Sequence, residues 1–161
     1  MNPAVLSGQT SYLITFMASF LIWFMLAGLF VLWFIDGRVK KEEALHALMA
    51  AFIAWGLTQM IKNLFPVTRP FEASELVPMT LTIPFDPSFP SGHAAAAFGL
   101  ATSIWLHDKK LGFIFILSAF LVAWGRVAGN VHYMADVSAG AVIGVVTAYT
   151  VGKLHLYKLI K

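Results

Sequence analysis

The sequence predicts an all-α fold: a polytopic membrane helix bundle of about five transmembrane helices, forming one domain over residues 1–161. Three observations carry that expectation. Hydrophobic residues fill 59% of the positions and charged residues only 12%, whereas soluble domains run at about 45–50% apolar. Mean hydropathy is +0.78. The apolar residues are also gathered into long runs, with the charges between them. A chain of this length has too little interior to hide so much apolar surface, so lipid is the solvent for most of it. Cysteine is absent, which excludes disulfides and thiolate metal sites.

The elements follow in order. Residues 12–35 are 24 positions without a charge, about 36 Å of helix against a hydrocarbon core of about 30 Å. No basic stretch precedes them and no small-residue cleavage site follows, so they read as a retained helix rather than a signal peptide. Residues 44–61 form the second span. Between Lys62 and Pro90 lie Pro66, Pro70, Pro78, Pro84 and Pro87, which rule out a single regular helix. Leu76, Val77, Met79, Leu81, Ile83 and Phe85 keep this connection apolar, as expected of a segment on the membrane surface. Residues 93–106 are apolar but few for a span, and cross only if their start sits below the headgroups. Residues 111–127 are the fourth span, and residues 137–151 the last. Gly140 and Gly144, like Gly125 and Gly129, are four apart and suit close helix packing.

The basic residues orient this path. Arg38, Lys40, Lys41, Lys109, Lys110, Lys153, Lys158 and Lys161 fall on one side, which the positive-inside rule makes cytoplasmic. The N-terminus is then outside and the C-terminus inside, as for a multi-pass protein of the cell (inner or plasma) membrane. Only Lys62, Arg69 and Arg126 fall on the outer side, and such exceptions call for a reason.

With those three cations the topology collects Ser91, Gly92, His93, His132 and Asp136. Gly92 leaves the backbone open to close approach at a helix start, and Ser91 offers a hydroxyl. Three fixed positive charges beside an open helix N-terminus suit a phosphate. His132 and Asp136 are four apart and share a helix face. A carboxylate there accepts the Nδ1 proton and leaves Nε2 as nucleophile or base. Taken alone, the pair reads equally well as a satisfied interfacial histidine beside a solvated aspartate. Lys62 and Arg69 alone read as ordinary headgroup anchors.

Together the strings are more specific. "KNLFPVTRP", "PSGH" and "RVAGNVHYMAD", in that order, resemble the signature of the type 2 phosphatidic acid phosphatase superfamily, integral-membrane lipid phosphatases related in active-site design to vanadium haloperoxidases. The resemblance covers residues 62–136. It implies that His132 is the nucleophile, that Asp136 orients it, and that His93 protonates the leaving oxygen. Lys62, Arg69, Ser91, Gly92 and Arg126 become the phosphate cradle. No metal and no other cofactor is implied. Two departures stand out: the family commonly has serine before the third-motif arginine, where this chain has Gly125, and many bacterial members have six spans.

The partners expected are a phospholipid or polyprenyl pyrophosphate substrate and the bilayer itself, with no nucleic acid. Undecaprenyl pyrophosphate is the favoured substrate. Phosphatidic acid, phosphatidylglycerophosphate and lipid A phosphates are the alternatives. Two rival readings are a metal-dependent hydrolase using His93, His132 and Asp136 as ligands and a non-catalytic lipid transporter. Three nearby cations oppose the first. Ionisable groups clustered at one interface, rather than at the midplane, oppose the second.

Overall fold

The computed structural model describes residues 8–35 and 37–153, and every regular element among them is helical. Lys158 and Lys161, used above for orientation, lie outside the described residues, as do the side chains of Arg38 and Lys40. The first rod runs through α1 (Gly8–Thr15), a π turn (Phe16–Phe20) and α2 (Leu21–Ile35). The others are α3 (Gly37–Lys62), the short α4 (Pro70–Ser74), α5 (Gly92–His107), α6 (Lys109–Ala128) and α7 (Met134–Val151).

Among the described residues four helical stretches are long and apolar enough to cross a membrane: Ser11–Phe34, Lys41–Lys62, Lys109–Ala128 and Met134–Val151. The fifth predicted crossing, α5, has 16 residues and is about 24 Å long. It is the central post of the bundle, packed on α3, α6 and α7. Ala94, Ala95, Ala97 and Ala101 are wholly buried, and these small side chains admit its neighbours on all sides. Because other helices enclose α5 from Gly92 to Ile104, its flanks meet protein rather than lipid, and a short helix suffices.

The outer surface carries Trp23, Phe24, Phe30, Phe34, Phe52, Phe113 and Phe120, all exposed. So broad an apolar surface is at odds with water and natural in lipid. At the end of the bundle that carries Lys41 and Lys109, their ammonium groups lie 5.8 Å from the Trp33 ring and 4.7 Å from the Trp105 ring. Such pairs belong at a membrane interface.

The predicted small-residue packing is specific. A Cβ placed on Gly140 would lie 2.5 Å from the Ser91 carbonyl oxygen and 3.2 Å from Ala94 Cβ. Bare glycine therefore lets α7 lie against the start of α5, and the Ser91 N–H donates to the Asp136 carbonyl at 3.0 Å. This contact joins the second and third motifs.

Candidate active site

Arg126 stands in the last turn of α6, and the chain reverses immediately after it. Asn130 takes a left-handed conformation (φ 60°), which asparagine tolerates better than most residues. The Arg126 carbonyl accepts from both Val131 N–H and His132 N–H at 3.2 Å. The Arg-x5-His spacing is thus one helix end plus one tight reversal, and it sets His132 beside the arginine that precedes it. The connection from 63 to 91 closes over this turn. Phe71 N–H donates to the Asn130 carbonyl at 3.0 Å, and Met79 N–H to the Gly129 carbonyl at 2.9 Å.

Lys62, Arg69, Gly92, His93, Arg126 and His132 line one cavity of about 440 Å³. Arg69 is 2% exposed, and every arm of its guanidinium is engaged. Nη1 donates to the Val131 carbonyl at 2.7 Å, Nε to the Asp86 carbonyl at 2.8 Å, and Nη2 to Asp86 Oδ1 at 2.8 Å. Lys62 Nζ pairs with Asp86 Oδ2 at 2.8 Å and also donates to the Pro87 carbonyl. Arg126 donates from Nη1 to the Ala18 carbonyl at 3.1 Å. Its Nε is buried and has no hydrogen-bond partner among the described residues. A buried donor without a partner is costly, and an anion in the cavity relieves that cost.

His132 is 2% exposed. Its Nδ1 lies 3.3 Å from Asp136 Oδ2 and 3.3 Å from Ser88 Oγ. Ser88 donates its hydroxyl to the same carboxylate oxygen, and Tyr133 N–H donates to it at 2.8 Å. Nδ1 therefore faces acceptors and carries the proton. Nε2 faces Arg69 Nη1 at 3.4 Å, which assigns the lone pair to that nitrogen. Burial, only partly opposed by the Asp136 bond and assisted by the charges of Arg126, Arg69 and Lys62, lowers the His132 pKa from 6.5 to about 4. The imidazole is neutral at physiological pH, as a nucleophile must be.

His93 lines the same cavity and makes no hydrogen bond among the described residues. Asp136 stands behind His132 and is fully buried. Ser91 behaves differently from its neighbours. Its side chain is buried and caps α5, accepting from Ala94 N–H at 3.4 Å, and it is not part of the cavity wall.

Two polar groups escape sequence reasoning. Ser88 fixes the Asp136 carboxylate, and Asp86 lies on two of the three cations. Burial alone would raise the Asp86 carboxyl, but the Lys62 hydrogen bond and the charges of Lys62 and Arg69 outweigh it and hold the group below the usual carboxylate range. One signal was available: a carboxylate in the connection that holds an unexplained arginine is a natural counter-ion for it.

An apolar groove of about 350 Å³ adjoins the polar cavity. Ile22, Leu26, Phe52 and Leu100 line it, and Trp23, Trp55, Gly92 and His93 belong to both spaces. A molecule with an anionic head and an apolar tail fits the pair of spaces together. Among the described residues no three His, Asp or Glu side chains converge as metal ligands.

Comparison with known proteins gives concordant results. The profile of the PAP2 superfamily matches residues 43–159. The chain is 32% identical over 133 residues to the bacitracin transport permease protein BcrC of Bacillus licheniformis, covering 83% of this chain and 66% of that one. It is 22% identical over 121 residues to the undecaprenyl-diphosphatase BcrC of Bacillus subtilis, covering 75% of this chain and 62% of that one. The chain thus spans somewhat under two thirds of these relatives' lengths. Among solved structures, Aquifex aeolicus LpxE superposes with a TM-score of 0.74 at 26% identity, over 93% of this chain and 89% of that one.

Proposed function

The chain belongs to the PAP2 superfamily, and from that premise we propose that it is a membrane phosphatase acting on undecaprenyl pyrophosphate at the outer membrane face. The observation that carries the proposal is the state of His132: neutral, proton on Nδ1 toward Asp136, and lone pair on Nε2 within a cationic cavity.

In the proposed reaction, Lys62, Arg69 and Arg126 hold the terminal phosphate, and Asp86 yields its place on the first two. His132 Nε2 attacks the terminal phosphorus in line. The bond from that phosphorus to the bridging oxygen breaks, and His93, protonated beside the bound phosphate anion, gives its proton to the departing undecaprenyl phosphate. Water then attacks the phosphohistidine, His93 takes a proton from it, and inorganic phosphate leaves as Nε2 regains its lone pair. Positioning and charge neutralisation supply the rate, as in phosphoryl transfer generally. Three fixed cations fill the part a metal ion plays elsewhere.

The choice of lipid rests on two supports. One relative over 121 residues is named an undecaprenyl-diphosphatase, and the adjoining groove is apolar. Phosphatidic acid, phosphatidylglycerophosphate and lipid A phosphates share the same headgroup chemistry and are the alternatives to be tested beside it.

The test is phosphate release by purified protein in detergent with excess chelator, over those lipids. Release should survive the chelator and fall by roughly a thousandfold or more in His132→Ala. A folded His132→Ala protein with near-normal turnover removes the nucleophile assignment, and release that needs added metal removes the mechanism.

A further inference from the structure

We propose that the first helix is a working part of the phosphate site: the Ala18 carbonyl fixes the Arg126 guanidinium, and the Ser19 hydroxyl donates to a phosphate oxygen. The inference rests on the functional reading above but concerns a segment outside the family match, which begins at residue 43.

The starting point is the π turn. Within Phe16–Phe20 the helix widens, and Leu21 N–H bonds back to the Phe16 carbonyl, five residues earlier. Such turns are rare and cluster at functional sites. This one is pressed against α6. A Cβ on Gly125 would lie 2.7 Å from Ala18 N and 2.8 Å from Met17 Cβ, so only glycine allows the approach. The approach brings the Ala18 carbonyl to Arg126 Nη1 at 3.1 Å. One arm of the guanidinium is thereby tethered, while Nε stays buried without a partner.

Ser19, the next residue, lines the cavity together with Arg126, Lys62 and Arg69. Its Oγ accepts from Leu81 N–H at 3.0 Å, which pins the oxygen and ties the outer connection to the first helix. The hydroxyl proton has no acceptor among the described residues. An uncommitted O–H in a cationic cavity is a donor for an anionic oxygen. It supplies a hydroxyl from α1–α2 where position 125 has neither a side chain nor room for one. Restoring serine at 125 therefore does not add a phosphate contact; it pushes away the turn that holds Arg126.

The test uses the full chain in detergent and compares wild type, Ser19→Ala, Ser19→Thr and Gly125→Ser. One readout is KM and kcat for undecaprenyl pyrophosphate. The other is the rise in unfolding temperature produced by orthovanadate, which reports anion binding by mass action whether or not a lipid is turned over. Ser19→Ala should unfold at the wild-type temperature without ligand, yet bind vanadate roughly three- to tenfold more weakly, with KM raised more than kcat is lowered. Ser19→Thr should restore both. Gly125→Ser should lose vanadate binding and turnover together.

Unchanged vanadate binding in Ser19→Ala overturns the proposal, as does a Gly125→Ser protein that binds as tightly as wild type. Wild-type protein unshifted by vanadate also overturns it. If wild type binds vanadate but releases no phosphate from any lipid, the functional reading fails, and the Ser19 comparison still decides the site.

Discussion

His132 sits between a carboxylate that favours its protonation and a buried, cationic setting that opposes it, and the second wins. Its pKa of about 4 has a direct consequence for activity. The imidazole is neutral above that value and is protonated, hence useless as a nucleophile, below it. In the proposed reaction kcat/KM, once corrected for ionisation of the substrate phosphate and of His93, should fall as pH drops through about 4. An acid limb near 6.5, the value of a solvated imidazole, would mean that His132 is not held as described. The gathering of Lys62, Arg69 and Arg126 at one cavity was legible at this scale because all three depart from the charge asymmetry of the chain. Ser88 and Asp86 were not. Ser88 meets Asp136 across 48 positions and Asp86 meets Arg69 across 17, within a connection that has no periodic pattern to read. Ser91 shows a further role its motif did not announce: its side chain closes a helix end.

The helices were the most legible elements, since long uncharged runs have few alternatives in lipid. Their boundaries were less so. The second helix was expected over residues 44–61 and runs over Gly37–Lys62; its polar first turns leave the apolar run without leaving the helix. The π turn was hidden, because nothing in "FMASF" demands it and what it packs against is Gly125, on a helix more than a hundred positions away. Glycine spacing did mark a close-packing face of α7, and the contact of that face with α5 yields a prediction. In Gly140→Ala the new methyl would meet the Ser91 carbonyl at 2.5 Å. Overpacking of this kind costs roughly 1–3 kcal/mol, so the variant should unfold at a lower temperature in detergent. It should also lose activity, since the same shift stretches the bond from Ser91 to the Asp136 backbone. Wild-type stability would mean that α7 has freedom to move away from α5.

For the whole molecule, the central proposal is an outward-facing site with the basic connections inside. The absence of cysteine makes this measurable without background. Ala73 and Lys110 are both exposed, the first on α4 beside the site and the second at the start of α6. In intact cells a membrane-impermeant maleimide should label Ala73→Cys and spare Lys110→Cys, whereas the opposite pattern would invert the topology. The covalent step underlies every role assigned here and is tested most directly by trapping it. Protein mixed with undecaprenyl pyrophosphate labelled in its terminal phosphate, and quenched in base within a turnover, should carry label on His132 that base leaves intact and acid removes. Steady turnover with no labelled protein, or label on any other residue, would contradict the account.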